Sequence, residues 1–201
     1  METEALLLLQ KPTGESTVRL TFFAPLHGHL TVYKRTGKTL SPRAQPDLFD
    51  TATLHLQASN DGKFHHLSSY HPSARRTRIP KDYPTFQAAC QFATFLDKNI
   101  PWIEDTRRTY QLALTAFDAL DSHLAHPDII RLKALYTLLK QEGYPVRQDW
   151  RAKIPCSEKP FLSSLLHTPL SELIQIPGHN VQPFLDNLLT WATHHTSFHF
   201  E

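Results

Sequence analysis

The chain contains 201 residues, of which 40% are hydrophobic, and its formal net charge at neutral pH is +2. This composition can bury a core in one or two domains, which excludes a disordered chain, and the small net charge excludes a uniformly basic protein. The charge is uneven, because residues 1–81 contain eleven Lys and Arg against six Asp and Glu, whereas residues 82–201 contain ten against thirteen. We therefore expect an anionic partner such as a nucleic acid to bind the first part.

The sequence carries no export, membrane or disulfide signal. Cys90 and Cys156 are the only cysteines, so there is no disulfide framework and no Cys-x-x-Cys pair. The apolar run at residues 5–9 is too short to span a bilayer, and it follows Glu2 and Glu4 where a signal peptide has basic residues. We predict a cytoplasmic protein with no membrane partner.

Five short strands are predicted in the first 70 residues. The second is the clearest, because Val18, Leu20 and Phe22 alternate with Arg19 and Thr21. Five strands without a long intervening helix predict an OB-fold barrel, with an SH3-like barrel as the alternative. The predicted strands cover residues 4–10, 16–24, 29–35, 48–57 and 63–70.

A basic connector joins the third and fourth predicted strands. Its four cations, with no acidic residue among them, are Lys34, Arg35, Lys38 and Arg43. Cations in such a loop attract phosphates without reading base sequence, which predicts DNA contact. The alternative is a solvated loop.

A second basic cluster follows the fifth predicted strand, in a polar segment ahead of Thr85, the predicted N-cap of the first helix. It extends the predicted DNA path or forms a solvated linker. The cluster consists of Arg75, Arg76, Arg78 and Lys81.

Three aromatic residues of the predicted barrel, Tyr33, Phe64 and Tyr70, could stack on bases. Aromatic residues at strand spacing are more typical of core or cross-strand packing.

Helical periodicity follows the strands. Helices are predicted at residues 85–97, 105–123, 127–142 and 181–195, with a loop at 145–161 and a strand or short turn at 170–176. The predicted fold class is α+β, with a five-stranded OB-fold barrel at residues 1–80 followed by a helical domain at residues 81–201.

No motif for catalysis or metal binding is found. The sequence lacks Gly-x-Ser-x-Gly and any Gly-rich phosphate-binding loop, and it has only six glycines. His65 and His66 are adjacent on a predicted strand, where neighbouring side chains point to opposite faces. We predict no enzyme activity, no catalytic residue, no metal and no cofactor.

The order of several short motifs identifies a family resemblance. They are Glu4-Ala5-Leu6-Leu7-Leu8, Gly14-Glu15-Ser16, Leu20-Thr21-Phe22-Phe23, His27-Gly28, Tyr33-Lys34-Arg35, and the helix at 131–145 that ends in Leu-Leu followed by Gly-Tyr and Pro. In this order they resemble the bacterial recombination mediator RecO. Many members carry a four-cysteine zinc site after the Gly-Tyr pair, where this chain has only Cys156.

The resemblance implies a non-enzymatic protein of recombinational DNA repair. It implies binding to single- and double-stranded DNA, annealing of complementary strands, and loading of RecA together with RecR and the single-strand-binding protein. It also implies a pocket for the acidic, Phe-ended tail of that last protein, for which we predict Leu135 and Leu139 as the slot. The predicted rim is Arg131 and Lys133, or the neighbouring Arg107 and Arg108. The alternatives are a protein-interaction adaptor with a degenerate barrel and an RNA-binding OB protein.

Overall fold

A computed structural model describes residues 1–35, 45–59 and 64–200. In this part of the chain, a closed five-stranded β-barrel is followed by six α-helices, which confirms the predicted α+β fold with an OB-like barrel. The chain forms two compact units. The barrel unit comprises Met1–Thr77 and Ala93–Tyr110, and the helical unit comprises Arg78–Phe92 and Gln111–Glu201.

Five strands, numbered β1 to β5 along the chain and bounded below, form the closed barrel. Their order around it is β1-β2-β3-β5-β4, so the last two strands are exchanged relative to the sequence. All neighbouring strands are antiparallel except β3 and β5, which pair in parallel. The strands are β1 Glu2–Pro12, β2 Thr17–Ala24, β3 Gly28–Arg35, β4 Thr51–Ala58 and β5 His65–Ala74.

Alternation along the strands fills the barrel interior. Leu20 and Phe22 of β2, Val32 of β3 and Leu54 of β4 are almost fully buried in one cluster. Because the side-chain period of a strand is two, their sequence neighbours face outward. Register is therefore fixed by burial, since a slip of one residue would turn this set into solvent.

The outer face of the barrel is covered at one end. Leu6 and Phe23 are paired on β1 and β2, lie outside the interior cluster and are still completely buried. The ring of Tyr110 packs edge-on against Phe23 with centroids 5.4 Å apart, and its hydroxyl donates to Glu4 at 3.0 Å. The apolar run at residues 5–9 thus reflects a strand buried on both faces.

A buried carboxylate joins the start of β4 to β5. Asp50 is 1% exposed and accepts hydrogen bonds from the Tyr70 hydroxyl at 2.7 Å and from the backbone N–H of Asp47 at 3.2 Å. The Arg75 guanidinium lies 3.1 Å from the same carboxylate. Burial raises the pKa of Asp50, although the Tyr70 hydrogen bond and the Arg75 charge act in the opposite direction.

A buried arginine holds the turn that leads into β4. Phe49 is buried at a φ of +67°, a left-handed conformation that is costly for a bulky residue. Arg76 is 5% exposed, and its Nη1 donates to the Phe49 carbonyl at 2.5 Å and to the Thr51 hydroxyl at 3.0 Å. Residues 71–74 of the segment predicted as a linker at 71–82 therefore belong to the barrel, because β5 runs on to Ala74.

The helices follow the predicted order, and three further elements begin within the predicted loop at 145–161. A π-helical turn, Val146–Trp150, buries Trp150, whose Nε1 donates to Asn187 at 2.8 Å. A further helix begins with Pro160 in its first turn, where proline is favoured. The helices are α1 Tyr83–Asn99, α2 Thr106–Asp121, α3 Pro127–Gln141, α4 Arg151–Lys153, α5 Lys159–His167 and α6 Gln182–His195. None of the helices in the described ranges is long and apolar enough to cross a membrane.

The first helix is capped by Asp82 and not by Thr85. Asp82 Oδ2 accepts hydrogen bonds from the Thr85 backbone N–H at 3.0 Å and from its hydroxyl at 2.6 Å. These bonds hold the pKa of Asp82 below its usual value.

Replacing Arg76 with alanine should lower the free energy of unfolding by about 3 kcal/mol, because the buried Phe49 carbonyl and Thr51 hydroxyl lose their donor. Arg78→Ala is the matched control, since it removes one positive charge from an exposed side chain nearby in sequence, and it should change stability by less than about 0.5 kcal/mol. Urea denaturation followed by circular dichroism measures both. Equal stabilities for the two variants would contradict the role of Arg76.

Replacing Asp82 with alanine should cost about 1 kcal/mol of stability near pH 7, because the N-terminal N–H groups of α1 lose their acceptor. The folded-state pKa of Asp82 is lowered, so its contribution is present above the unfolded-state pKa of about 3.8 and is lost as the pH falls through the lowered value. Urea titrations of wild type and variant from about pH 7 down to about pH 3 should show the gap shrinking. A gap that stays constant would contradict a contribution from the ionised carboxylate.

Candidate nucleic-acid interface

Four outward side chains lie side by side across four strands of the barrel. Lys11 of β1 pairs with Arg19 of β2, Arg19 pairs with Tyr33 of β3, and Tyr33 pairs with His66 of β5. Directly opposite residues project from the same face of a sheet, so these four form one row, called here the interface row. With strands about 4.8 Å apart, the row is about 14 Å long.

Cations occupy the β1–β2 end of the row. Lys11 and Arg19 are both exposed, as is Arg35, which follows Tyr33 by two residues on the same face of β3. The carboxylates of β1 lie at the other end of that strand, where Glu2 and Glu4 pair with β4. The cations of the row are therefore separated along β1 from its carboxylates.

Aromatic rings occupy the β3–β5 end of the row. Phe64, next to the start of β5, packs edge-on against Tyr33 with centroids 4.9 Å apart. Its ring is also 5.3 Å from the ring of His66 in an edge contact. Tyr33 and Phe64 are partly exposed and His66 is exposed.

The predicted basic connector is only partly within the described residues. Lys38 and Arg43 lie outside them. Lys34 shares the interior side of β3 with Val32 and is half-buried, and burial lowers its pKa. Arg35 is the member of the connector whose side chain is placed on the exposed outer face.

The second predicted cluster divides between the two units. Arg75 and Arg76 belong to the barrel unit, where the first contacts Asp50 and the second is buried against Phe49. Arg78 and Lys81 belong to the helical unit and are exposed. Arg76 is thus a structural cation.

Among the predicted stacking aromatics, Tyr70 is 3% exposed and is held by its hydrogen bond to Asp50. Tyr33 and Phe64 are the two that face outward.

Sequence reasoning missed Lys11, Arg19 and His66. The one sequence pattern that could have indicated such a residue is the alternation in residues 16–24, which places Arg19 on the polar face of its strand. The register that aligns it with Lys11 and Tyr33 is a property of strand pairing.

The predicted slot residues are placed in the core of the helical unit. Leu135 is 3% exposed and Leu139 is fully buried. Lys133 Nζ donates to the carbonyls of Leu165, Leu166 and Thr168 at 3.1, 3.3 and 2.6 Å, so it caps the C-terminal end of α5. Burial lowers the pKa of Lys133.

Arg131 lies beside a small polar cavity. Its guanidinium is 3.8 Å from the Asp128 carboxylate, and burial lowers its pKa. The cavity has a volume of about 210 Å³ and also has Gln87 and Gln91 in its wall. A second cavity of about 490 Å³, with Ile174 among its lining residues, shares the wall residues Pro84, His126 and Pro127 with the first.

The other two predicted rim residues, Arg107 and Arg108, are exposed in the first turn of α2 and belong to the barrel unit. The backbone N–H of Arg108 donates to Asp105 at 3.0 Å, which caps that helix.

Within residues 1–35, 45–59 and 64–200, no group of three or more His, Cys, Asp or Glu side chains is arranged to hold a metal ion.

Comparison with protein-family models and with curated proteins gives no match to this chain.

Proposed function

We propose that this chain is a RecO-like, non-enzymatic mediator of recombinational DNA repair in the cytoplasm that binds single- and double-stranded DNA. The observation that supports this function is the interface row, in which exposed cations and outward aromatic rings share one face of an OB-like barrel. OB-folds commonly bind oligonucleotides on such a face.

The cations account for binding without sequence preference. Lys11, Arg19 and Arg35 can each neutralise a phosphate, and phosphate contacts release counterions irrespective of base sequence. Because these side chains contact the backbone, they leave the Watson–Crick edges of a bound strand free. A strand held in this way can still pair with its complement, which is the chemical requirement for annealing.

Partners complete the proposed role. RecR and the single-strand-binding protein are the partners that the family resemblance implies, and loading of RecA is the joint outcome. The acidic, Phe-ended tail of the single-strand-binding protein needs a cation for its terminal carboxylate beside space for its aromatic ring. We infer that Arg131, in the wall of the first cavity, is this cation and that the two cavities, which share wall residues, provide the space.

Replacing Lys11 and Arg19 together with alanine should weaken binding of a labelled single-stranded DNA oligonucleotide. The slope of log affinity against log salt should become shallower by about 1.4, because each lost phosphate contact on a single strand removes about 0.7. Fluorescence anisotropy at several salt concentrations measures both quantities. Annealing of complementary oligonucleotides should slow in the same variant.

The matched control is Lys140→Ala with Arg147→Ala, which removes two exposed cations from the helical unit. It should leave affinity and salt slope at their wild-type values. The proposed function is rejected if the wild-type protein fails to bind DNA at low salt, and the interface is rejected if the two double variants behave alike. Stronger binding to RNA than to DNA of equal length would favour the RNA-binding alternative.

Replacing Arg131 with glutamate should weaken binding of a synthetic peptide that carries an acidic segment and a C-terminal phenylalanine. A charge-assisted hydrogen bond contributes about 1.5–3 kcal/mol, so the dissociation constant should rise at least about 10-fold. Lys140→Glu, an exposed charge reversal on the same helix, is the control and should bind normally. Unchanged binding by the Arg131 variant would remove this cavity as the docking site.

A further inference from the structure

We infer that Phe64, whose ring contacts those of Tyr33 and His66, is a stacking platform for unpaired nucleobases and gives the interface its preference for single strands over duplex. This inference rests on the proposed function and names the part of the ligand that each end of the interface row recognises.

The placement of the three rings favours a role outside the core. Val32 of β3 and Tyr70 of β5 lie in the interior cluster of the barrel. Tyr33 and His66, on the same two strands, face outward. Phe64 contacts both outward rings, so it lies on the outer face as well. Tyr33 and Phe64 remain partly exposed and His66 remains exposed, although the apolar surface of the rings would be more stable if buried.

The contacts also order the platform. The Phe64 ring meets Tyr33 at an interplanar angle of 70° and His66 at 82°, with centroids 4.9 and 5.3 Å apart. Edge-to-face pairs at these distances are attractive and restrict the motion of each ring. A base that stacks there therefore meets rings that are already positioned, which reduces the entropy lost on binding.

The two ends of the interface row differ chemically in a way that suits single-stranded nucleic acid. Lys11 and Arg19 stand at the β1–β2 end and the aromatic rings at the β3–β5 end. A single strand crossing the barrel can place its phosphates on the cations and turn its unpaired bases towards the rings. In a duplex the base faces are already stacked on one another, so only the phosphate contacts remain.

Three ligands of equal phosphate number separate the two kinds of contact. They are a single-stranded DNA oligonucleotide, the same strand with abasic sites in its central positions, and a duplex with the same total number of phosphates. Wild-type protein should bind the first about 5- to 150-fold more tightly than the abasic strand, because base stacking on an aromatic side chain contributes about 1–3 kcal/mol per base.

The variant Phe64→Leu keeps apolar bulk and removes the π-system. It should lower affinity for the intact strand to that of the abasic strand, with an unchanged salt slope and unchanged duplex binding. Phe161→Leu, at an exposed aromatic residue of the helical unit, is the matched control and should have no effect. A 2-aminopurine base at the centre of the strand should change its fluorescence on binding wild type but not on binding Phe64→Leu.

The outcomes separate this inference from the proposed function. No salt-sensitive binding of any ligand by wild type would overturn both. Salt-sensitive binding with equal affinities for the intact and abasic strands would overturn the platform alone. The comparison of ligands uses the wild-type protein, so it decides the question even if Phe64→Leu fails to fold.

Discussion

The hydrogen bonds of one buried arginine hold the turn that leads into β4, the strand that pairs with both β1 and β5 in the closed barrel. Arg76 donates to the Phe49 carbonyl and so holds the left-handed turn from which β4 departs. The same turn is tied to β1, since the backbone N–H of Phe49 donates to Leu7 and that of Leu7 donates to Asp50, each at 2.9 Å. With β4 between β1 and β5, the five strands form a closed ring, in which burial of the interior side chains fixes the register of the outward ones.

This constraint explains why neighbouring arginines have different roles. Arg75 and Arg76 come directly after β5, where the chain still lies against the buried Asp50 and Phe49. Arg78 comes two residues later and has an exposed side chain, and its backbone N–H donates to Asp121 at 2.7 Å. In the sequence the three arginines form one basic cluster. In the structure they differ in burial and in the groups that they contact.

The outer face of the barrel divides into two parts of opposite character. Around Leu6 and Phe23 it is apolar and covered by Tyr110. Around Arg19 and Tyr33 it is polar, aromatic and exposed. A single pair of strands thus contributes both to the packing of the barrel unit and to its candidate binding surface, and the change occurs within a few residues of β2.

Much of this architecture could be predicted because it depends on local patterns. Alternation indicated the strands and 3.6-residue spacing indicated α2, α3 and α6, within a few residues of their bounds. Contacts between distant residues could not be predicted in the same way. Lys133 looks like any exposed lysine of a basic helix until α5 brings three carbonyls to its ammonium group. Arg19 likewise becomes part of a site only through its cross-strand neighbours.

The parallel pairing of β3 with β5 has a mechanical consequence. These strands pair at Val32 with His65 and at Tyr33 with His66, a short ladder compared with the eight register pairs between β2 and β3. The interface row crosses this seam at its aromatic end. A strand of nucleic acid lying along the row would touch both sides of the seam and brace it, since a ligand that binds only the closed form stabilises that form. The strand pairing with the fewest register pairs among the described residues would then be strengthened by the bound ligand, and the occupied barrel would be stiffer than the empty one.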